Sequence, residues 1–219
     1  MPPVRTIHHM KVSRQRGFTL VEMLVAIGVF VILTSVLLFN YNNFNKRLSL
    51  DILAHQLAQW VRDAQVSAMS VRQARTSVIA KYPGYGLHFD VATPLQFQYF
   101  ADLDGDKQYD PLTGGQKCGD PGSIECEKAI NVLQGNRIEM ICGSASSPIP
   151  HPQGSCPSGM ETLQSLNIVF LRPNPDASII GEHLLNSTTT YARADIMITT
   201  PKGYRRTVEV WTTGQISVQ

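Results

Sequence analysis

Residues 18–39, FTLVEMLVAIGVFVILTSVLLF, hold one ionisable side chain, Glu22, in an otherwise uncharged and mostly apolar run. Roughly 20 such residues suffice for a helix to cross the hydrocarbon core of a bilayer. Any fold available to this chain must bury the run or place it in lipid. A carboxylate inside a spanning helix costs at least about 2.5–3.5 kcal/mol, so Glu22 implies a partner or a task. The 17 residues ahead of the run carry Arg5, Lys11, Arg14 and Arg16 and no acidic side chain. Positive charge before the span and the bulk of the chain after it place the C-terminal part outside the cytoplasm. A secretory signal peptide has a shorter apolar core with a small-residue cleavage site behind it. Here the small residue, Gly17, comes first, so a cut at Gly17 leaves the span on the mature chain.

The stretch Arg16-Gly17-Phe18-Thr19-Leu20-Val21-Glu22-Met23-Leu24 resembles the class III leader and N-terminus of type IV pilins and type II secretion pseudopilins. The resemblance implies cleavage after Gly17 by a prepilin peptidase and N-methylation of the new terminus at Phe18. It also implies that Glu22 pairs with the terminal amine of a neighbouring subunit during assembly. Other subunits, the inner-membrane assembly platform and membrane lipid are then the expected partners. The expected location is a single-pass inner-membrane protein that passes into an extracellular or periplasmic filament. Physical chemistry favours such a role for Glu22, because an unpaired buried charge is destabilising and a paired one much less so.

Beyond the span, Phe44, Leu48, Leu53, Leu57, Val61, Ala64, Ala68 and Val71 recur every three to five residues, the pattern of one apolar helical stripe. No proline lies between Pro3 and Pro83, so nothing forces a break. A helix from Phe18 to about Arg72 would extend roughly 80 Å. Many pilins kink this helix with a proline in the span, and here that residue is lacking.

After Arg75 the pattern turns to period two. Strands are expected at 76–81, 85–90 and 95–100, and later at 131–133, 137–141, 166–171, 194–199, 206–211 and 216–218. The organisation expected is a leader at 1–17, a transmembrane or filament-core helix at 18–39, its amphipathic continuation at 40–75, and an extracytoplasmic domain at 76–219. The fold class is α+β, with the long N-terminal helix laid against an antiparallel sheet, the pilin arrangement. Pro83-Gly84-Tyr85-Gly86, Arg172-Pro173, Tyr204-Arg205-Arg206-Thr207-Val208 and Thr213-Gly214-Gln215-Ile216 resemble the GspH/FimT-like subset of minor pilins.

Residues 101–160 are rich in Gly, Pro and Ser, hold all four cysteines, and read as an elaborated loop region over the sheet. An even cysteine count beyond the membrane favours disulfides. Three pairings are open; Cys118–Cys126 and Cys142–Cys156 are chosen because each closes a local loop. No Cys-x-x-Cys pair exists and His151 is the one nearby imidazole, which speaks against zinc. Asp102, Asp104, Asp106 and Asp110 stand at the first, third, fifth and ninth places of a short segment, a spacing suited to an oxygen-liganded calcium ion. Gly105 precedes the third acid where an EF-hand has its glycine after it, and no glutamate follows at the twelfth place. The competing reading is a polar hairpin tip whose Asp side chains cap turns.

No nucleophile–base constellation, phosphate loop or dinucleotide fingerprint occurs, so no enzyme and no resident cofactor are expected. A DNA-binding minor pilin for uptake is the main alternative, with Lys202, Arg205 and Arg206, joined by Arg193, as a C-terminal basic patch. Against it, removing the four leader cations from the formal +2 leaves −2 for the mature chain, a poor balance for a polyanion partner. A bitopic extracytoplasmic binding module is the third reading.

Overall fold

The computed structural model describes residues 17–70, 72–75, 82–111, 117–120, 125–144, 156, 160–182 and 188–219; within the helix the side chains at 37, 39, 40, 42 and 43 are set aside. The leader at 1–16, the strand expected at 76–81, Val71 and His151 lie outside the described residues. One α-helix is followed by antiparallel sheet, an α+β order.

Helix α1 spans Leu20–Met69. Thr19 caps it: its Oγ1 accepts the Glu22 N–H at 3.2 Å, the arrangement of a Thr-x-x-Glu start. The chain divides into two compact units, residues 1–44 and 45–219. In the first unit the described side chains are exposed almost throughout, with Leu20 at 82% and Phe18 at 78%. Among the described residues no helical run is long and apolar enough to cross a membrane.

In the second unit the helix buries Leu50, Leu53, Ala54, Leu57, Ala58, Val61, Ala64 and Ala68. Their spacing of one, three and four keeps them on one face of a 3.6-residue helix. The stripe expected from Phe44 and Leu48 is corrected here, since both are exposed. At 3.6 residues per turn Leu48 points about 140° away from Leu53, so the two cannot share a face. Leu50, about 60° from Leu53, takes the place instead.

Two sheets, not one, complete the unit. The first is six-stranded, in the order β3-β2-β1-β6-β7-β8, from β1 (Gly84–Asp90), β2 (Gln96–Asp102), β3 (Cys126–Asn131), β6 (Ser165–Phe170), β7 (Ala177–Glu182) and β8 (Thr188–Thr190). The second is five-stranded, β11-β10-β9-β4-β5, from β4 (Arg137–Ser144), β5 (Glu161–Leu163), β9 (Arg193–Thr199), β10 (Arg205–Trp211) and β11 (Ile216–Val218). All residues of β6 and β9 are buried, as expected for inner strands. Helix and both sheets contribute to one apolar cluster that includes Leu57, Val61, Leu87, Phe89, Ile168, Ile196 and Val208.

The region 101–160 is more than loop, since it supplies β3 to one sheet and β4 to the other. The strand expected at 131–133 is β3, shifted to Cys126–Asn131. Tyr191 joins the sheets. Its backbone N–H donates to Ile179 O and the next N–H to Ser144 O, each at 2.9 Å. A Cβ on Gly143 would lie 2.6 Å from its ring, and one on Gly181 2.9 Å. Both positions therefore admit glycine for space rather than for backbone freedom.

Candidate functional site

Gly17, Phe18 and Thr19 form a non-helical lead into α1. A Cβ built on Gly17 meets nothing within 4 Å, so the fold imposes no need for glycine there. Glu22 sits in the first turn of the helix, where a carboxylate complements the positive end of the macrodipole. It is exposed within an apolar surface formed by Leu20 and Val21, at 70% or more. A surface of this kind calls for a cover that the single chain does not supply.

The acidic segment begins at the last residue of β2 and runs to Asp110. Asp102, Asp104 and Asp106 each direct one carboxylate oxygen into a group whose members lie within 4.8 Å of one another. Asp110 does not join that group; its backbone N–H donates instead to Glu125 Oε2 at 3.0 Å. Turn capping is present as well. Asp102 Oδ1 accepts the Gly105 N–H at 2.8 Å, Asp104 Oδ1 the Asp106 N–H at 3.1 Å, and Asp106 Oδ1 the Gln108 N–H at 2.7 Å. Capping engages one oxygen of each. The other Asp102 oxygen, Oδ2, is buried with no hydrogen-bond partner. Burial raises the Asp102 pKa, reinforced by the charges of Asp104 and Asp106, while the loop's N–H groups, Gly105 first, work against it.

Glu125, 1% exposed, holds the two ends of this segment. Its Oε1 accepts the Leu103 N–H at 2.8 Å and its Oε2 that of Asp110. Burial pushes its carboxyl up to about 7, with Asp102 and Asp110 adding to the rise and the two N–H donors opposing it. Sequence reading did not single out Glu125. Its partners lie 15 and 22 residues away, and the available signal is its place beside Cys126. Cys126 is bonded to Cys118 and Cys142 to Cys156, and no free cysteine is present among the described residues. The first bond closes the chain just behind the acidic segment.

The C-terminal cations do not form one patch. Arg193 is 3% exposed and donates through Nε to Asp195 at 2.7 Å and through Nη2 to Glu209 at 2.8 Å. Its guanidinium lies 5.0 Å from the Trp211 ring centre. Arg205 makes a fork to Glu139, 2.7 Å on each arm, and Arg206 contacts Asp51 at 2.5 Å. These two arginines line a cleft of about 200 Å³ with Arg47, Asp51 and Tyr204. Lys202 is exposed. Carboxylates thus occupy the arginine heads that a phosphate backbone would need.

Residues 12–38 match the family model described as the prokaryotic N-terminal methylation motif. The match takes in Gly17, Phe18 and Glu22 and supports a pilin-type structural subunit of a type IV pilus or secretion pseudopilus. Comparison with curated proteins and with solved structures gives no match.

Proposed function

We propose that the chain is a minor pilin or pseudopilin of the GspH/FimT-like kind, cut after Gly17, methylated at Phe18 and built into a filament. The methylation motif at 12–38 carries the reading. Two structural facts support it. The fold has free space at Gly17, so a demand for glycine would come from a partner that closes on the backbone, as a peptidase cleft does. The apolar surface of residues 18–36 is exposed in the single chain, and lipid followed by sister helices would cover it in turn. Glu22 then has an amine partner in the assembled fibre and guards register, since a slip of one turn strands the charge.

Mass spectrometry of the mature N-terminus tests the reading directly. Methylated Phe18 is the expected terminus, and Gly17→Val is expected to leave an unshortened product on a gel. Glu22→Gln should be cut normally yet enter filaments poorly. A native chain recovered with residues 1–17 still attached in its filaments would overturn the proposal.

DNA uptake is the second reading. Salt-dependent DNA retention lost with Arg205→Ala and Arg206→Ala would favour it. Pairing of both arginines to Glu139 and Asp51 argues the other way.

A further inference from the structure

We infer that the segment Asp102–Asp110 is a binding site for a hard divalent cation of calcium size, held by Asp102, Asp104 and Asp106. Calcium takes carboxylate oxygens at about 2.3–2.6 Å, so two oxygens sharing one ion lie no more than about 5 Å apart. The three carboxylates place one oxygen each within 4.8 Å of the others, which meets that bound. Magnesium, at about 2.0–2.1 Å, requires a tighter cage, and the same spread suits it less well.

An acidic cluster alone would be an ordinary solvated hairpin tip. The independent observation is Asp102. It is 2% exposed, and its Oδ2 has neither water access nor a hydrogen-bond donor. A buried carboxylate oxygen left unpaired is costly, and here it belongs to a residue whose neighbours in the cluster are two further carboxylates. A cation shared by the three carboxylates would relieve their mutual repulsion and give the buried Asp102 carboxylate a counter-charge. The turn-capping bonds to Gly105, Asp106 and Gln108 each use an Oδ1 atom, which leaves the second oxygen of every ligand available.

The frame around the site is already set. Glu125 bonds to the backbone at Leu103 and Asp110, and the Cys118–Cys126 disulfide fixes the chain next to Glu125. Gly105 and Lys107 adopt φ values of +87° and +66°, which fold the segment back between its two anchored ends. Lys107 is the one cation within the segment. Its long flexible stem can carry the ammonium into solvent.

The test is calorimetric titration of calcium chloride into the full chain, purified in detergent and stripped with a chelator. One saturable site is expected, with a dissociation constant of about 10⁻⁴–10⁻³ M, the range of extracellular calcium modules. Magnesium chloride should bind at least tenfold more weakly. Asp102→Asn keeps the acceptor for Gly105 but removes the charge, and should weaken calcium binding more than tenfold. Asp104→Asn, at an exposed position that threatens folding less, should do the same. Asp176→Asn, exposed and remote in sequence, should leave binding unchanged. Absence of a saturable site at about 10 mM calcium, or undiminished binding in both Asp102→Asn and Asp104→Asn, overturns the inference. The assembly reading is separate, because a chain that escapes processing can still bind the ion.

Discussion

Two stretches of α1 are both rich in apolar residues and meet opposite fates. From Leu20 to Val36 the described side chains are exposed, or at most half-buried as at Thr34, although most are Val, Ile, Leu, Phe or Met. From Leu50 to Ala68 the apolar residues are fewer and smaller, four of them alanine, yet eight of them are covered, with Ile52 and Val66 left exposed. The difference is arrangement. In the first stretch apolar residues occupy every side of the helix, as suits a segment surrounded by lipid or by other helices. In the second the buried ones keep to one face, with Arg62, Asp63 and Gln59 exposed between them, and that face joins the apolar cluster of the sheets. One helix therefore carries two kinds of surface, one satisfied within the chain and one left for a partner.

Substituting a charge in each stretch gives the sharpest test of that contrast. Leu57→Asp places an isolated carboxylate in the buried apolar cluster. The expected loss is about 5 kcal/mol or more, comparable with the whole stability of a domain, and the domain should not melt cooperatively by circular dichroism. Leu24→Asp, at a position 66% exposed, should leave the domain's melting temperature within a degree or two and act on membrane insertion or filament yield. Equal thermal effects at the two sites would erase the distinction between the stretches.

Inside the domain the buried charges come next in size. Arg193 neutralises Asp195 and Glu209, which are 0% and 5% exposed. Glu209 also accepts from Ser217 at 2.9 Å and from Gln219 at 2.9 Å, which ties the last strand to the network. Arg193→Met strands two carboxylates in the interior and should cost about 3–5 kcal/mol, read as a drop in the denaturation midpoint. Among the described residues of 17–36 no charge is buried, so those exposed positions should tolerate such changes. Smaller again is the staple between Cys142 on β4 and Cys156. Replacing both with serine removes a 14-residue closure worth about 3 kcal/mol in the chain-entropy account. Differential scanning of the double variant should show that loss.

Legibility in the sequence followed the same divide. At the N-terminus the methylation motif at residues 12–38 was readable because its signal is local: a glycine and an acid in fixed order. The helix was readable because no proline interrupts it, though its buried face was set by Leu50, Ala54 and Ala58 rather than Phe44 and Leu48. Strands dense in aromatic or β-branched residues, such as β1, β2, β6 and β9, announced themselves. β7, with Gly181 inside it, and the three-residue β5 and β8 did not, since a short or glycine-bearing strand has no periodicity to show. Edge strand β3 hides behind Glu127, which is buried and accepts the Arg75 N–H at 2.6 Å, and behind the exposed Lys128, a charge of the kind that protects an open sheet edge. The division into two sheets was not visible, because period two says which side of a strand is buried and not which strand lies beside it. β4 pairs with β9, more than 50 residues on. In the acidic segment the spacing pointed to four acids, of which Asp102, Asp104 and Asp106 gather and Asp110 does not. The separate roles of Asp110 and Glu125 depend on contacts across the loop and were not.

The smallest effect is a pH dependence centred on His88 in β1. Its Nδ1 is 2.7 Å from Asn167 Oδ1 on β6, and its ring lies 4.8 Å from that of Tyr109. Burial lowers its pKa, against the raising influence of the Asn167 bond and of the Asp90 and Glu182 charges. Above the unfolded value, about 6.5, both states are neutral and His88 has no effect on stability. Below it the unfolded chain takes up the proton first, so stability falls as pH drops, by at most about 1.4 kcal/mol per unit, until the folded residue also protonates. Glu125, held up to about 7, works in the opposite sense, because there the folded state binds the extra proton between about 4.3 and 7. The net pH curve of the native chain therefore mixes both signs, and the difference between native and variant isolates one. With His88→Gln, which retains a donor for Asn167, the stability difference from the native chain should shift in the variant's favour as pH falls from about 6.5 to 5.5. A difference that stays flat across that interval would show that the ring takes its proton as readily in the folded domain as in the unfolded chain.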